Sequence, residues 1–180
     1  HVFVNLDYVG QYHLMERPDV DFFQSYYGGL DTDYEVYKSG EYWDDLNLNL
    51  WGALPNRINL SSASAIQNTN NYIDLNQTAA YLNIMSYGSA FDWGEAHNCL
   101  GGTNINAGNG GYKFIVWDMD FNFGNGGKWN PSGTSINYFG APLSEDGPVP
   151  DNLVNNIEFK YMMADNVECT CYNNGILTPN

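Results

Sequence analysis

The stretch that decides the fold of this chain is Trp117-Asp118-Met119-Asp120-Phe121-Asn122-Phe123-Gly124, which follows an apolar run beginning at Tyr112. The apolar run predicts a buried strand. Side chains two residues apart in a strand point the same way, so Asp118 and Asp120 converge if the extended backbone continues through them. Adjacent carboxylates repel unless a proton or cation lies between them, and oxygen ligands favour Mg²⁺, Mn²⁺ or Ca²⁺. The alternative interpretation is an aspartate-rich turn that closes a hairpin.

Length and composition indicate one folded domain over residues 1–180, with 43% hydrophobic and 16% aromatic residues. Six Lys and Arg residues stand against 21 Asp and Glu residues, which gives a formal charge of -15. Such acidity argues against nucleic-acid binding and is consistent with an extracellular or cation-rich environment. No apolar run has the length of a membrane span, so we expect none.

The three cysteines are Cys99, Cys169 and Cys171. The richest oxidised state would be one disulfide to Cys99 and one free thiol. Buried unpaired thiols are the alternative interpretation. A zinc site is disfavoured, because no second clear pair of ligands accompanies the Cys-x-Cys spacing.

The first third of the chain predicts a β-hairpin followed by a short helix. Residues 2–14 read as two strands around a turn at Asn5-Leu6-Asp7, with a bulge or tight bend at Gly10. Asp19 is predicted to cap a helix that ends at Gly28-Gly29. Residues 31–71 have no clear assignment.

The remainder predicts two longer helices around a strand. Asp74-Leu75-Asn76-Gln77 resembles a capping box, from which a helix runs to about Gly88. The glycine-rich segment 101–111 is expected to form a turn or hairpin tip. Asp151 is predicted to cap the final helix. The predicted core positions are Ile73, Ala80, Tyr81, Ile84 and Met85 on the first helix and Phe159, Met162, Met163 and Val167 on the last.

The order of the polar residues points to a reaction class. A helix is followed by a loop containing Asp92 and Asn98, then a hairpin, and then a strand ending at Asp118. This is the order of the catalytic half of a protein kinase, in which one Asp accepts the proton of the attacking hydroxyl and an Asn and a second Asp hold metal ions. Phosphoryl transfer requires mainly positioning and charge neutralisation, so these residues with Asp120 form a sufficient minimal set.

Further motifs extend along the chain in residues 10–19, 33–40, 73–98, 159–165 and 174–179. Together with Trp117-Asp118-Met119-Asp120 and Phe123-Gly124, they resemble the motifs of the spore-coat protein H (CotH) kinase family in the order of that family. The resemblance implies an α+β, atypical protein-kinase-like fold, mainly the catalytic C-lobe half with an N-terminal β-hairpin. It further implies that the chain is a CotH-like domain without the upstream lobe.

The activity implied by the resemblance is transfer of phosphate from ATP to Ser or Thr of a protein, by a secreted kinase at a cell or spore surface. Carried over by position, Asp92 would be the catalytic base. Asn98, Asp118 and Asp120 would bind Mg²⁺, although the ligand types suit Mn²⁺ and Ca²⁺ equally.

Three further residues are candidates for the nucleotide pocket. Glu16 corresponds to a charged pocket residue of the family, and it pairs either with a nucleotide-binding lysine or with Arg17 or Lys38. Tyr12 or Tyr112 would stack on adenine, although core packing is the preferred interpretation for both.

The chain departs from the family in its basic residues. The family's upstream cations help to hold the phosphates, and the available substitutes here are Lys38, Lys113 and Lys128. Two function classes therefore remain. One is a metal-dependent phosphotransferase, and the other is a non-catalytic surface or adhesion module whose acidic site binds Ca²⁺ or nothing.

Overall fold

The structure, a computed structural model, describes residues 1–11, 15–38, 54, 58–88, 90, 98–106, 111–119, 151–172 and 174–178. Within these ranges the chain forms two antiparallel sheets and five α-helices. In chain order the elements are β1 (Val2–Val4), β2 (Asp7–Gly10), α1 (Val20–Tyr27), β3 (Tyr34–Lys38), α2 (Ala63–Thr69), α3 (Leu75–Tyr87), β4 (Leu100–Asn104), β5 (Lys113–Ile115), α4 (Asp151–Asn155) and α5 (Ile157–Cys171). The α+β class is confirmed.

The N-terminal hairpin is confirmed. β1 and β2 pair antiparallel, and Asn5 and Leu6 form the turn with φ angles of 49° and 73°. Two positive φ angles give a turn whose twist matches that of the strands. The register shifts between Val2 and Phe3, opposite Gly10, where the bulge or bend was predicted.

The short helix α1 is also confirmed. The carboxylate of Asp19 accepts a hydrogen bond from the N–H of Phe22 at 3.3 Å, and the helix ends at Gly28, whose φ is 78°. Phe23 is buried, and its ring lies 6.0 Å from that of Tyr34 in β3. α1 therefore covers one face of the second sheet.

The second sheet has the strand order β3-β4-β5, and both pairs are antiparallel. The glycine-rich segment begins inside β4 rather than in a turn, which corrects the prediction for Gly101 and Gly102. A Cβ on Gly102 would lie 2.6 Å from the Phe23 ring. Glycine at this position lets α1 approach the sheet, which a sequence pattern does not reveal.

Helix α3 begins as predicted, but only half of the capping box forms. The Asp74 carboxylate accepts from the Gln77 N–H at 3.1 Å. The Gln77 amide, instead of returning to Asp74, accepts from the N–H of Phe114 at 2.8 Å and donates to its carbonyl. The helix start is thereby joined to β5.

The predicted core face of α3 is partly wrong. Ile73, Tyr81 and Met85 are buried, but Ile84 is 50% exposed and Ala80 is only half-buried. Contacts with both β5 and α5 turn a different face inward. The residues buried in their place are Leu75, Thr78, Ala79, Leu82 and Asn83.

The C-terminal helix is divided in two, which corrects the predicted cap at Asp151. α4 starts at Asp151, and a separate helix α5 follows. The side chain of Asn156 accepts from the N–H groups of Glu158 and Phe159 and so caps α5. Phe159 and Met163 are buried, whereas Met162 and Val167 are only partly buried.

The strand before Asp118 is shorter than predicted. β5 ends at Ile115, Val116 is 37% exposed, and Asp118 has a left-handed φ of 51°. The extended backbone on which the convergence of Asp118 and Asp120 depended is therefore not continued. The pairing of β5 with β4 ends at Ile115, opposite Leu100, so residues 116–119 lie beyond the paired part of β5.

None of the three cysteines, all of which the structure describes, forms a disulfide, and Cys99 is buried. Burial raises the pKa of the Cys99 thiol well above its ordinary value. Cys99 is therefore a buried thiol outside a disulfide, as in the alternative interpretation, whereas Cys169 is exposed and Cys171 partly buried. Among the described residues, no helix is long and apolar enough to cross a membrane.

Candidate functional site

One end of the second sheet collects several of the candidate residues. Lys38, Leu100 and Ile115 lie in one row across β3, β4 and β5. Because the strands alternate in direction, β3 and β5 end at this row and β4 begins there. Asn98 precedes the row by two residues, and Asp118 follows it by three. We call Lys38, Asn98, Trp117 and Asp118 the site edge.

Asn98 and Asp118 share an unusual backbone conformation at the site edge. Their φ angles are 57° and 51°, and both belong to the left-handed region. Asn and Asp tolerate this region better than most residues, yet it still costs free energy. Such conformations concentrate where a site holds a side chain in a required direction. Asp118 is exposed and Asn98 is partly buried, so a carboxylate and an amide belong to this edge.

Lys38 supplies a positive charge to the site edge. Its Nζ lies 5.5 Å from the centroid of the Trp117 ring, which is within the range of a cation–π contact. Lys113, another candidate for phosphate binding, is engaged elsewhere: its Nζ lies 2.7 Å from Oδ2 of Asp74 and 5.7 Å from the Tyr27 ring centroid. Trp117 was predicted only as the start of the Asp motif, and its contact with Lys38 had no sequence signal.

Several predicted site residues lie outside the described residues. These are the predicted base Asp92, the metal ligand Asp120 and the aromatic candidate Tyr12, together with Lys128. Their assignments stay predictions. Within the described part of the chain, no three His, Cys, Asp or Glu side chains come together as a metal-binding group. Asn98 and Asp118 could supply two oxygen ligands, and a complete set would need further ligands such as Asp120.

Glu16 is exposed, and its described contact is a hydrogen bond. The Tyr26 hydroxyl donates to Oε2 of Glu16 at 2.8 Å. This hydrogen bond, followed by the negative charge of Glu16, raises the pKa of Tyr26. Arg17 lies 3.5 Å from Asp19, and the ion pair of Glu16 with Arg17 or Lys38 stays a prediction. A role for Glu16 in nucleotide binding stays a prediction.

Tyr112 belongs to the core. It is 1% exposed, and its hydroxyl donates to Oε1 of Glu35, which is also buried. Its backbone bonds to Tyr72 and Asp74 on the approach to α3. Core packing, the preferred interpretation of Tyr112, agrees with this environment, and we do not assign it to adenine.

A separate groove of about 650 Å³ runs beside α5. Its lining includes Asn83, Lys160, Met163, Val167 and Tyr172. Of the predicted site residues that the structure describes, none lines this groove, so it does not form part of the site edge.

No family model, curated protein or solved structure matches this chain. The site edge must therefore be interpreted from its own residues and geometry.

Proposed function

We propose that this protein is a metal-dependent phosphotransferase of the CotH type, which transfers phosphate from ATP to Ser or Thr of a protein. The observation that carries the proposal is the site edge, where two oxygen-bearing side chains with left-handed backbones flank the row that ends in Lys38. The predicted metal ligands Asn98 and Asp118 are 20 residues apart in sequence and leave the sheet at the same end, because β4 and β5 are antiparallel.

The residue types fit the requirements of phosphoryl transfer. An exposed carboxylate and an amide oxygen are ligands that Mg²⁺ accepts, and Mg²⁺ neutralises phosphate charge when it is bound. Asn98 and Asp118 would hold the cation, and Asp120 would join them. Asp92 would accept the proton of the attacking hydroxyl. The localisation proposed with this activity is extracellular, at a cell or spore surface.

Isothermal titration calorimetry with Mg·ATP tests the binding half of the proposal. We expect wild-type protein to bind Mg·ATP and Asp118→Ala to lose at least tenfold in affinity, because a metal ligand is removed. Asp165→Ala is the matched control, since it removes an exposed carboxylate from α5. Unchanged binding by Asp118→Ala would contradict the metal assignment.

Phosphate incorporation into dephosphorylated casein tests the catalytic half. Asp92→Asn should retain Mg·ATP affinity within about threefold but reduce incorporation by about a hundredfold or more, because the general base is lost. Activity of Asp92→Asn equal to that of the wild type would exclude Asp92 as the base and leave the binding result untouched.

A second candidate, a non-catalytic surface or adhesion module, is favoured by the N-terminal hairpin. Phe3 is 61% exposed and Leu6 is 95% exposed, and exposed apolar surface of this kind often marks a contact with another molecule. This candidate predicts that the wild type gives no heat of binding when titrated with Mg·ATP, whether or not it binds Ca²⁺ in a separate titration. The same calorimetric experiment therefore separates the two classes.

A further inference from the structure

Two segments of the sequence match the acceptor pattern of N-linked glycosylation, which is Asn-x-Ser or Asn-x-Thr with x other than Pro. They are Asn59-Leu60-Ser61 and Asn76-Gln77-Thr78. The pattern includes two side chains because the transferase binds both the amide of the Asn and the hydroxyl group two residues later. The fold decides whether these groups are presented to the transferase, and the two segments differ in this respect.

The first segment lies on the surface, just before α2. Asn59 and Ser61 are both exposed, whereas Leu60 is partly buried against the core. Oδ1 of Asn59 accepts one hydrogen bond from the N–H of Ser61 at 3.0 Å and another from its hydroxyl at 2.8 Å. An Asx turn therefore holds the amide and the hydroxyl of the pattern together at the surface.

The backbone of Asn59 is attached to the end of α2. The hydroxyl of Thr69, a fully buried residue, accepts from the N–H of Asn59 and donates to its carbonyl, each at 3.2 Å. The described hydrogen bonds of the Asn59 side chain both end on Oδ1. A glycan on the amide nitrogen, Nδ2, therefore breaks no hydrogen bond between described residues.

The second segment lies in the first turn of α3. Asn76 is exposed, but Thr78 is fully buried, and its N–H donates to the Asp74 carbonyl at 2.8 Å. The side-chain amide of Gln77, between them, bonds to the backbone of Phe114. The hydroxyl of Thr78 thus becomes accessible only when the start of α3 unfolds and separates from β5.

We propose that Asn59 is an N-glycosylation acceptor of the folded protein and that Asn76 is not. The co-substrate is an oligosaccharide linked to a lipid diphosphate, and the partner is an oligosaccharyltransferase of a secretory pathway. Nδ2 of Asn59 bonds to the anomeric carbon of the sugar while the bond from that carbon to the diphosphate oxygen breaks. The lipid diphosphate leaves with the electron pair, and the amide loses one proton. The inference goes beyond the proposed function and shares with it only the proposed extracellular location.

Reaction of the folded chain with a purified single-subunit oligosaccharyltransferase and lipid-linked oligosaccharide tests the proposal. Mass spectrometry of proteolytic peptides measures the rate at each Asn. Synthetic peptides of residues 54–66 and 71–83 give the rates for the two segments without the fold, and each rate in the protein is divided by that of its peptide. We expect this relative rate to be at least about tenfold higher at Asn59 than at Asn76, because access to Thr78 requires local unfolding.

Three variants provide the controls. Ser61→Ala removes the hydroxyl of the pattern and should abolish modification of Asn59. Asn59→Gln removes the acceptor itself and should give the same loss. Gln77→Ala frees the start of α3 from β5, so it should raise the relative rate at Asn76 and leave that at Asn59 within about twofold.

Two results would overturn the proposal. One is modification of the 54–66 peptide without modification of Asn59 in the folded chain. The other is an equal relative rate at Asn59 and Asn76, because the fold would then not select between them. Neither result bears on the Mg·ATP titration that tests the proposed function, since residues 59–61 and 76–78 do not belong to the site edge.

Discussion

Two regions of the molecule use similar residues in different ways. The first, which we call the α3–β5 junction, consists of Asp74, Gln77, Lys113 and Phe114. The second is the site edge. Each contains an aspartate and a lysine whose ammonium group lies over an aromatic ring, Tyr27 for Lys113 and Trp117 for Lys38. In the junction, the Lys113 ammonium lies 2.7 Å from the Asp74 carboxylate. The side-chain amide of Gln77 accepts from the N–H of Phe114 and donates to its carbonyl.

The two regions differ in backbone conformation and in the exposure of their aspartates. The junction groups satisfy one another and cover the open edge of β5, because residues 72–77 bond to the backbone of Tyr112 and Phe114. At the site edge, Asn98 precedes β4 and Asp118 follows β5. Both residues have a left-handed backbone conformation, and Asp118 is exposed. We therefore expect the junction to stabilise the fold and the site edge to cost stability.

The largest expected effect is in the junction. Gln77→Ala removes the side-chain amide that bonds to both the N–H and the carbonyl of Phe114, a buried residue. Leaving these groups unsatisfied should lower the free energy of unfolding by about 1–3 kcal/mol in urea denaturation. The control Gln67→Ala, at an exposed position of α2, should change it by less than about 0.5 kcal/mol. Equal effects would show that Gln77 does not hold β5.

A smaller effect on the free energy of unfolding is expected at the site edge, where one substitution relieves backbone strain. Glycine adopts a φ of 51° without the strain that a Cβ causes, so Asp118→Gly should be more stable than Asp118→Ala by about 1 kcal/mol. The same pair at Asp165, inside α5, should show the reverse order by about 1 kcal/mol. Urea denaturation of the four variants measures both differences. An alanine variant at 118 as stable as the glycine variant would argue against backbone strain there.

The smallest effect concerns pH and the Asp74–Lys113 ion pair. Burial alone would raise the pKa of Asp74, but the hydrogen bonds from Lys113 and the Gln77 N–H outweigh it, so the pKa lies below its ordinary value of 3.8. A carboxyl with a lowered folded-state pKa stabilises the fold above its unfolded pKa, and this stabilisation is lost as the pH falls through the folded-state pKa.

Asp74→Asn isolates this charge, because asparagine retains the N-cap. Wild type should exceed Asp74→Asn in unfolding free energy by about 0.2–1 kcal/mol at pH 6. The difference should narrow as the pH is lowered below about 4. Thermal unfolding at several pH values measures it, and a difference independent of pH would exclude the ion pair as its source.

Local signals predicted the parts of the fold that depend on neighbouring residues. Asp19 and Gly28 mark the ends of α1, and Asn5-Leu6 marks the hairpin turn, because capping and turn geometry involve only a few adjacent residues. The predictions at Ile84, Gly102 and Asp151 were wrong or incomplete for the opposite reason. Which face of α3 is buried depends on β5 and α5, and the glycine in β4 is explained only by the Phe23 ring.

The candidate site divides in the same way. The sequence by itself determined the acidic composition, the residue types suited to a divalent cation and the start of each long segment. It also identified Asn98 and Asp118 as candidate ligands. Alternation along a strand was the wrong reason to expect a site there, because the backbone leaves the extended conformation before Asp118.

Only the tertiary structure decided which distant residues meet. Because β4 and β5 pair antiparallel, Asn98 and Asp118 lie next to the same end of the sheet, and β3 ends there with Lys38. Strand register and helix packing join residues far apart in sequence, so no local pattern determines them. The contact of Lys38 with Trp117, and the engagement of Lys113 with Asp74, follow from that register.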